Sequence, residues 1–460
     1  MLECIALIIS LIAVTFIGCN VLFLFPGKGL KLNIAETIAV SYGLGFGCIS
    51  LEMLFFHFFG LGFTVDGILM PWLPLVAINL VRYWRQAGII DRLRPQLVPL
   101  SKLGVLDILL AVGVAIEVMY AFFRALIKPI ESYDAIAIYA IRSKIFYLAK
   151  AIPADYFTAI ARLFPHADYP LNIQLSETFL YMSMGSLNDQ LVKVIFPLFF
   201  AAILCILYFA IRRFASRTYA LILTFILASV PHFNNYATNA YLEMPLTFYV
   251  FIGGLFLLRW IEDNRAIGAL VISAIATGLA GWTKNEGMMY CAIYSVLVFV
   301  FVASKGRKVE KRDILSAVMY SGIIFLICLP WALIKARWHI TNDEIALSNL
   351  NPVNLVKQLN KLGPIAYEFQ KQLFGPKKWN ILWPVTIIVL LLNYKKAFAM
   401  PARYVLAMIA MALGGYVVFY MISYVDVVFF ASKTWARFML DFLPLAVYLL
   451  AVILKEDIKC

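Results

Sequence analysis

Charge is scarce in this sequence. Asp, Glu, Lys and Arg make up only 14% of 460 residues, against 63% hydrophobic, and mean hydropathy is +0.87. A soluble domain is about a quarter charged and about half apolar, so the deficit excludes an ordinary soluble fold. Short alternating apolar segments are also lacking, which argues against an outer-membrane β-barrel. Histidine is limited to four residues, scattered without the tight spacing of a metal site. The cysteines, at positions 4, 19, 48, 205, 291, 328 and 460, avoid long polar loops, so no disulfide framework is expected. Cys460 lacks the four-residue prenylation pattern. The first run, Leu2 to Phe25, has no basic leader and no small-residue cleavage site, and reads as a permanent span rather than a signal peptide. No internal repeat of the transporter kind is visible.

What is present is a series of apolar runs of helix length. A bilayer core needs about 20 residues per helix. On that scale spans are expected at 2–25, 34–60, 68–84, 104–127, 188–211, 217–232, 240–261, 266–283, 286–304, 313–336, 379–394, 401–423 and 440–455. The fold class is therefore an all-α polytopic membrane protein of about 13 transmembrane helices.

The net charge of +13 would suit nucleic acid, but its placement does not. Basic residues gather in short loops on alternate sides of the spans: Lys28 and Lys31; Arg82, Arg85, Arg92, Arg94 and Lys102; Arg212, Arg213 and Arg217; Arg259 and Arg265; Lys305 to Lys308 with Lys311 and Arg312; Lys395, Lys396 and Arg403; Lys455 and Lys459. The opposite set includes loops 61–67 and 233–239, which hold no Lys or Arg. The positive-inside rule makes the first set cytoplasmic, with the N-terminus outside and the C-terminus inside. Parity then forces 128–190 to begin and end outside. Asp134 to Lys150 and Asn172 to Met184 are expected there as interfacial helices, the first with Ile138, Ile141, Ile145 and Leu148 on one side. A second outer loop, 337–378, is polar and contains Pro352, Pro364 and Pro376.

Ionisable residues beside hydrocarbon are costly and point to function. Several fall at outer span ends: Glu131 and Asp134 in ESYDAIAIYAIRSK, His166 and Asp168 in HADYPL, Glu243 in NAYLEMPL, Lys284 and Glu286 in GWTKNEGMM, Lys433 and Arg437 in SKTWARFMLDFLP. Glu52, Asp107 and Glu117 lie within spans; Asp107 is near a cytoplasmic end, and the other two have no explanation from sequence.

At these residues the chain resembles the GT-C superfamily of glycosyltransferases, in particular the branch with bacterial lipid A aminoarabinose transferases and protein O-mannosyltransferases. Asp134 matches that branch's first-loop acid, Tyr169 and Pro170 its proline motif, and Glu243-Met244-Pro245 its second acid, where Asp is usual. Lys284 to Gly287 is similar to a Thr-Lys-x-Glu-Gly motif, and Arg437 to a late arginine; Tyr133 stands where Trp or Phe is common. The likeness covers about 104–310 well and the tail moderately. It implies added N-terminal helices over 1–103, a catalytic core over 104–336 that includes the outer loop, and a second loop with C-terminal helices over 337–460. It also implies an inverting hexosyl- or pentosyltransferase in a bacterial inner membrane with its site facing outward. The donor would be a polyprenyl-phosphate-linked sugar and the acceptor a lipid, glycan or protein. No cofactor is called for, although His166 and Asp168 offer a possible divalent-metal pair.

The residue types suit that chemistry. One base must take the acceptor's proton, and Asp134 is the candidate, a helix cap or salt bridge being its other reading. The leaving phosphate needs positive charge, which Lys284 and Arg437 supply, although Lys284 also reads as a snorkelling span end. Asp168 and Glu243 either orient the acceptor and hold Asp134, or are a solvated loop acid and a helix N-terminal acid. Glu286 either binds substrate or pairs with Lys284. His166, Tyr169 and Lys144 complete the candidate substrate-binding set. The competing class is a transporter or flippase of lipid-linked sugars, which would show pseudo-symmetric halves and midplane charge; a membrane scaffold would require no convergence of acids and bases.

Overall fold

The computed structural model describes residues 1–25, 32–84, 104–160, 163, 165–345 and 347–455. The basic residues Lys28, Lys31, Arg85, Arg92, Arg94, Lys102 and Lys459 lie outside this set. Among the described residues the chain is helical, and Ile345 opposite Ser423 is an isolated antiparallel bridge. The main helices are α1 Leu2–Phe23, α2 Ile34–Phe58, α3 Leu73–Trp84, α4 Val105–Ile127, α5 Ile141–Ala149, α6 Asn172–Met184, α7 Ile195–Arg212, α8 Arg217–Ala228 and α9 Glu243–Glu262. They continue as α10 Ile267–Thr283, α11 Asn285–Ser304, α12 Lys311–Arg337, α13 Leu362–Leu373, α14 Leu382–Leu392, α15 Ala402–Ile422, α16 Val427–Asp441 and α17 Leu443–Leu454.

Nine helical stretches among the described residues are long and apolar enough to cross a bilayer, and α16 with α17, bent by 51°, makes a tenth. The remaining expected spans correspond to α8, α10 and α14, which are apolar but have 12, 17 and 11 residues. At about 1.5 Å per residue these fall short of a core of about 30 Å. Nearly all of α10 is enclosed by protein, so it need not present a full span to lipid. The expected final span at 440–455 is in fact the lower limb of the bent pair, with the turn at Phe442.

α9 is the hub, buried along almost its whole length and packed on α10, α7 and α16. α4 lies at the periphery. It exposes Leu106, Leu109, Val112, Ile116, Met119 and Phe123, an apolar stripe at helical spacing that suits lipid. The N-terminal helices share the central core. A Cβ on Gly18 would stand 1.9 Å from the Ser41 carbonyl oxygen, and one on Gly45 2.0 Å from that of Val14, so α1 and α2 meet backbone to backbone. α2 in turn reaches α7 and α9: Tyr42 donates to the Ile195 carbonyl at 3.0 Å, and Tyr249 to that of Gly43 at 2.7 Å.

The polar ends of the bundle differ. One end carries Glu36 paired with Arg213 and Arg259, Lys305 with Asp313, and Arg217 with Asp107. These belong to the loops that charge parity assigns to the cytoplasm. The other end carries the acids and bases singled out above. Two acids inside spans also have partners: Glu52 accepts from the Trp72 indole at 2.6 Å and Glu117 from Asn234 at 2.9 Å.

One expectation is corrected. α6 does not lie on the membrane with one face in lipid. Every residue from Asn172 to Tyr181 is buried, and the helix packs among α1, α2, α5 and α10. The reason is its polar content: Asn172, Gln174, Ser176, Glu177 and Thr178 need partners that neighbouring helices supply and hydrocarbon cannot.

Candidate active site

Two backbone breaks build the site. α10 ends at Thr283, Lys284 is extended (φ −156°, ψ 155°), and α11 starts at once with Asn285. Gly287 makes this corner possible, because a Cβ there would stand 1.9 Å from the Ala280 carbonyl oxygen. A buried hydrogen-bond chain fixes the end of α10: Trp282 donates to Ser50 at 2.9 Å, Ser50 to Asn172 at 2.7 Å, and Asn172 to Thr283 at 2.8 Å. The second break is the bend between α16 and α17, with Arg437 one turn before it. Glu243 opens α9, and Asp134 precedes a π-helical turn, Ala135–Ala140, that leads into α5.

These elements bring five charges into direct contact. Arg437 reaches Glu243 Oε1 through Nε and Nη2, both at 2.6 Å, and Asp134 Oδ2 through Nη1 at 2.8 Å. Lys284 Nζ lies 3.1 Å from Glu243 Oε1 and 2.8 Å from Glu286 Oε1. Burial works against the Lys284 charge, but Glu243 and Glu286 outweigh it and hold the ammonium well above the usual lysine range. Glu243 is the anchor, with a side chain only 1% exposed, one oxygen taking both cations and the other buried without a partner. Asp134 is the most open member, at 22%.

The cations are not saturated. A guanidinium has five N–H groups and an ammonium three. Arg437 engages three nitrogens once each, leaving two N–H groups; Lys284 engages two acids, leaving one. Three charged donors therefore remain beside an accessible carboxylate.

Asp168 lies next to this network. Its Oδ2 accepts from Asn285 at 2.5 Å and Asn342 at 2.7 Å, its backbone oxygen accepts from the Trp331 indole, and its Oδ1 is buried without a partner. Burial pushes its carboxyl above the usual range, and the two amides counter that. His166 stacks on Tyr169 at 4.8 Å, and Tyr169 on Tyr139 at 6.3 Å. His166 has a left-handed backbone, φ 57°, with its N–H on Asp343 and its ring 4.0 Å from Glu344. Among the described residues no three His, Cys, Asp or Glu side chains are grouped so as to hold a metal ion.

Asp134, Glu243, Lys284, Glu286 and Arg437 are thus one cluster, flanked by Asp168, His166 and Tyr169. Lys144 is engaged elsewhere, 2.7 Å from Asp189, which also takes the Tyr181 hydroxyl. Glu131 pairs with Lys128 in solvent, and Lys433 is exposed over Phe429. Sequence reasoning missed Tyr241, Asn285, Asn342, Glu344 and Asp441. Asp441 had a signal, an acid four residues after Arg437 in an apolar run; it is buried and accepts from Tyr416. Asn342 had none, since it is one of several polar residues in a long loop with no motif around it.

A comparison with family models now has geometry to be set against. Residues 178–334 match the model described as dolichyl-phosphate-mannose-protein mannosyltransferase. That segment is similar to lipid-linked-sugar glycosyltransferases of the GT-C type. It contains Glu243, Lys284 and Glu286 and leaves out Asp134, Asp168 and Arg437. No curated protein and no solved structure matches the chain.

Proposed function

We propose that this membrane protein is an inverting glycosyltransferase that moves a monosaccharide from a polyprenyl phosphate to an acceptor on the extracytoplasmic face. The observation that carries the reading is the cluster itself: two cations with three unengaged N–H groups beside the open carboxylate of Asp134. In the reaction the acceptor's O–H or N–H gives its proton to Asp134, and the freed lone pair attacks C1 opposite the phosphate. The bond from C1 to the phosphate oxygen breaks, and that oxygen leaves with the electron pair. Its growing negative charge is met by Arg437 and Lys284, a task for fixed cations rather than for a general acid. Glu243 keeps both cations in place. Glu286 within the cluster and Asp168 beside it each have one buried oxygen that has no partner. A flippase would carry its charge near mid-bilayer between pseudo-symmetric halves, whereas this cluster sits at helix ends.

The test is binding of sugar-free polyprenyl phosphate to the protein in nanodiscs. Loss of one charge-assisted hydrogen bond costs about 1.5–3 kcal/mol, so Lys284→Met and Arg437→Met should each weaken binding by about ten- to a hundredfold. Arg437→Lys should recover only part, because an ammonium cannot span two acids as a planar fork does. Equal affinity across wild type and all three variants would place the phosphate elsewhere and sink the reading.

A further inference from the structure

Arg437 has a neighbour, Tyr241, to which the motifs assign no role. The ring face of Tyr241 lies 5.0 Å from the guanidinium carbon. The same ring meets Tyr139 edge-on at 6.3 Å and Tyr236 at 5.6 Å, and its hydroxyl lies against the backbone of Asp134. Tyr241 therefore touches the first outer loop, the short helix Pro231–Tyr236 and α16, three segments remote in sequence.

The backbone before it is strained. Ala240 is buried and has φ 61°, a left-handed conformation unfavourable for a residue with a Cβ. The Tyr241 N–H is turned onto Asn239 Oδ1 at 3.2 Å. The connection into α9 thus accepts strain where it sets the direction of this ring.

A contact through a ring face has one property that an ion pair lacks: it uses no N–H. Both acids already engage nitrogens of Arg437, and any further hydrogen-bonding partner would take a donor away from phosphate. The ring holds the guanidinium by its quadrupole and leaves the two remaining N–H groups available. We propose that Tyr241 is a positioning residue that orients Arg437 toward the phosphate of the carrier. This rests on the reading of Arg437 as a phosphate-binding cation.

The experiment is a double-mutant cycle on binding of sugar-free polyprenyl phosphate, with wild type, Tyr241→Leu, Tyr241→Phe, Arg437→Met and Arg437→Met/Tyr241→Leu in nanodiscs. Tyr241→Leu should weaken binding by about three- to thirtyfold, the range of a partly desolvated cation–π contact. Tyr241→Phe keeps the face and should bind within about twofold of wild type. In the Arg437→Met background the leucine should add no further loss, because nothing is left to orient. An equal loss in both backgrounds would show ordinary packing and overturn the proposal, as would wild-type affinity in Tyr241→Leu. If the leucine protein does not fold, Tyr241→Met fills similar space without a π face and takes its place in the cycle. Unchanged binding in Arg437→Met alone would instead remove the reading of the site, and this proposal with it.

Discussion

At Asp134 one carboxylate oxygen is tied to Arg437 and 22% of the side chain stays open, while Glu243, tied to the same arginine, is closed at 1%. Only the first is open to solvent. This asymmetry separates two acids that sequence left with overlapping roles, because burial cannot be read from an acid's identity. Asp134→Asn keeps the shape and cannot take a proton. It should lower sugar transfer by at least the ~10²–10⁴-fold typical of a general base, with polyprenyl phosphate still bound. Transfer within a few-fold of wild type, measured with a radiolabelled carrier-linked sugar, would remove Asp134 from that role. The pairing of Lys284 with Glu286 was legible, since the two are separated by one residue. The contact of Arg437 with Asp134 was legible only as shared sidedness, and its sharing between two acids required the bend at Phe442, which Pro444 in the first turn of α17 marks as a helix start without giving its angle.

Among elements, long apolar runs were the most legible and α6 the least. Its sequence is mixed enough to suggest an interfacial helix, because burial of a polar helix depends on partners supplied by α1, α2, α5 and α10. One consequence concerns Glu177 in α6. Its carboxylate accepts from Ser143 at 2.6 Å while its other oxygen is buried without a partner. Burial pushes the carboxyl up to about 7 from an ordinary 4.5, with Ser143 pulling the other way. The folded state thus holds this proton more tightly than the unfolded state. Its contribution to stability is undiminished below about 4.5, declines as pH rises toward 7, and is fully lost above that. A difference of that size corresponds to roughly 3 kcal/mol at most. Glu177→Gln should therefore raise the Tm of the detergent-solubilised protein at pH 8 and change it little at pH 4.5. Equal shifts at both pH values would show that the carboxyl does not titrate as described.

For the whole molecule, charge parity predicted that the candidate residues would gather at one end of the bundle and the short basic loops at the other, and among the described residues the structure separates them so. Which end faces outward is a matter for labelling. In a background lacking native cysteines, Glu131→Cys and Lys433→Cys should react with an impermeant thiol reagent in intact cells, and Arg312→Cys only after permeabilisation. The reverse pattern would put the site in the cytoplasm, away from an extracytoplasmic acceptor. Parity worked because loop charge is a local property of sequence; the cluster itself depends on contacts across 194 and 303 positions. Those separations also order events as the chain is made. Asp134, Glu243 and Lys284 emerge first, and the lysine can settle against Glu243 as soon as α9 and α10 pack. Arg437 arrives last. Until α16 and α17 have entered the membrane, Asp134 lacks the cation that joins it to the rest, so a nascent chain holds its acids without the completed cluster. On the proposed reading, competence for transfer then waits on the bent span α16–α17, and a ribosome that stalls before it leaves a membrane protein with much of its core and an incomplete cluster.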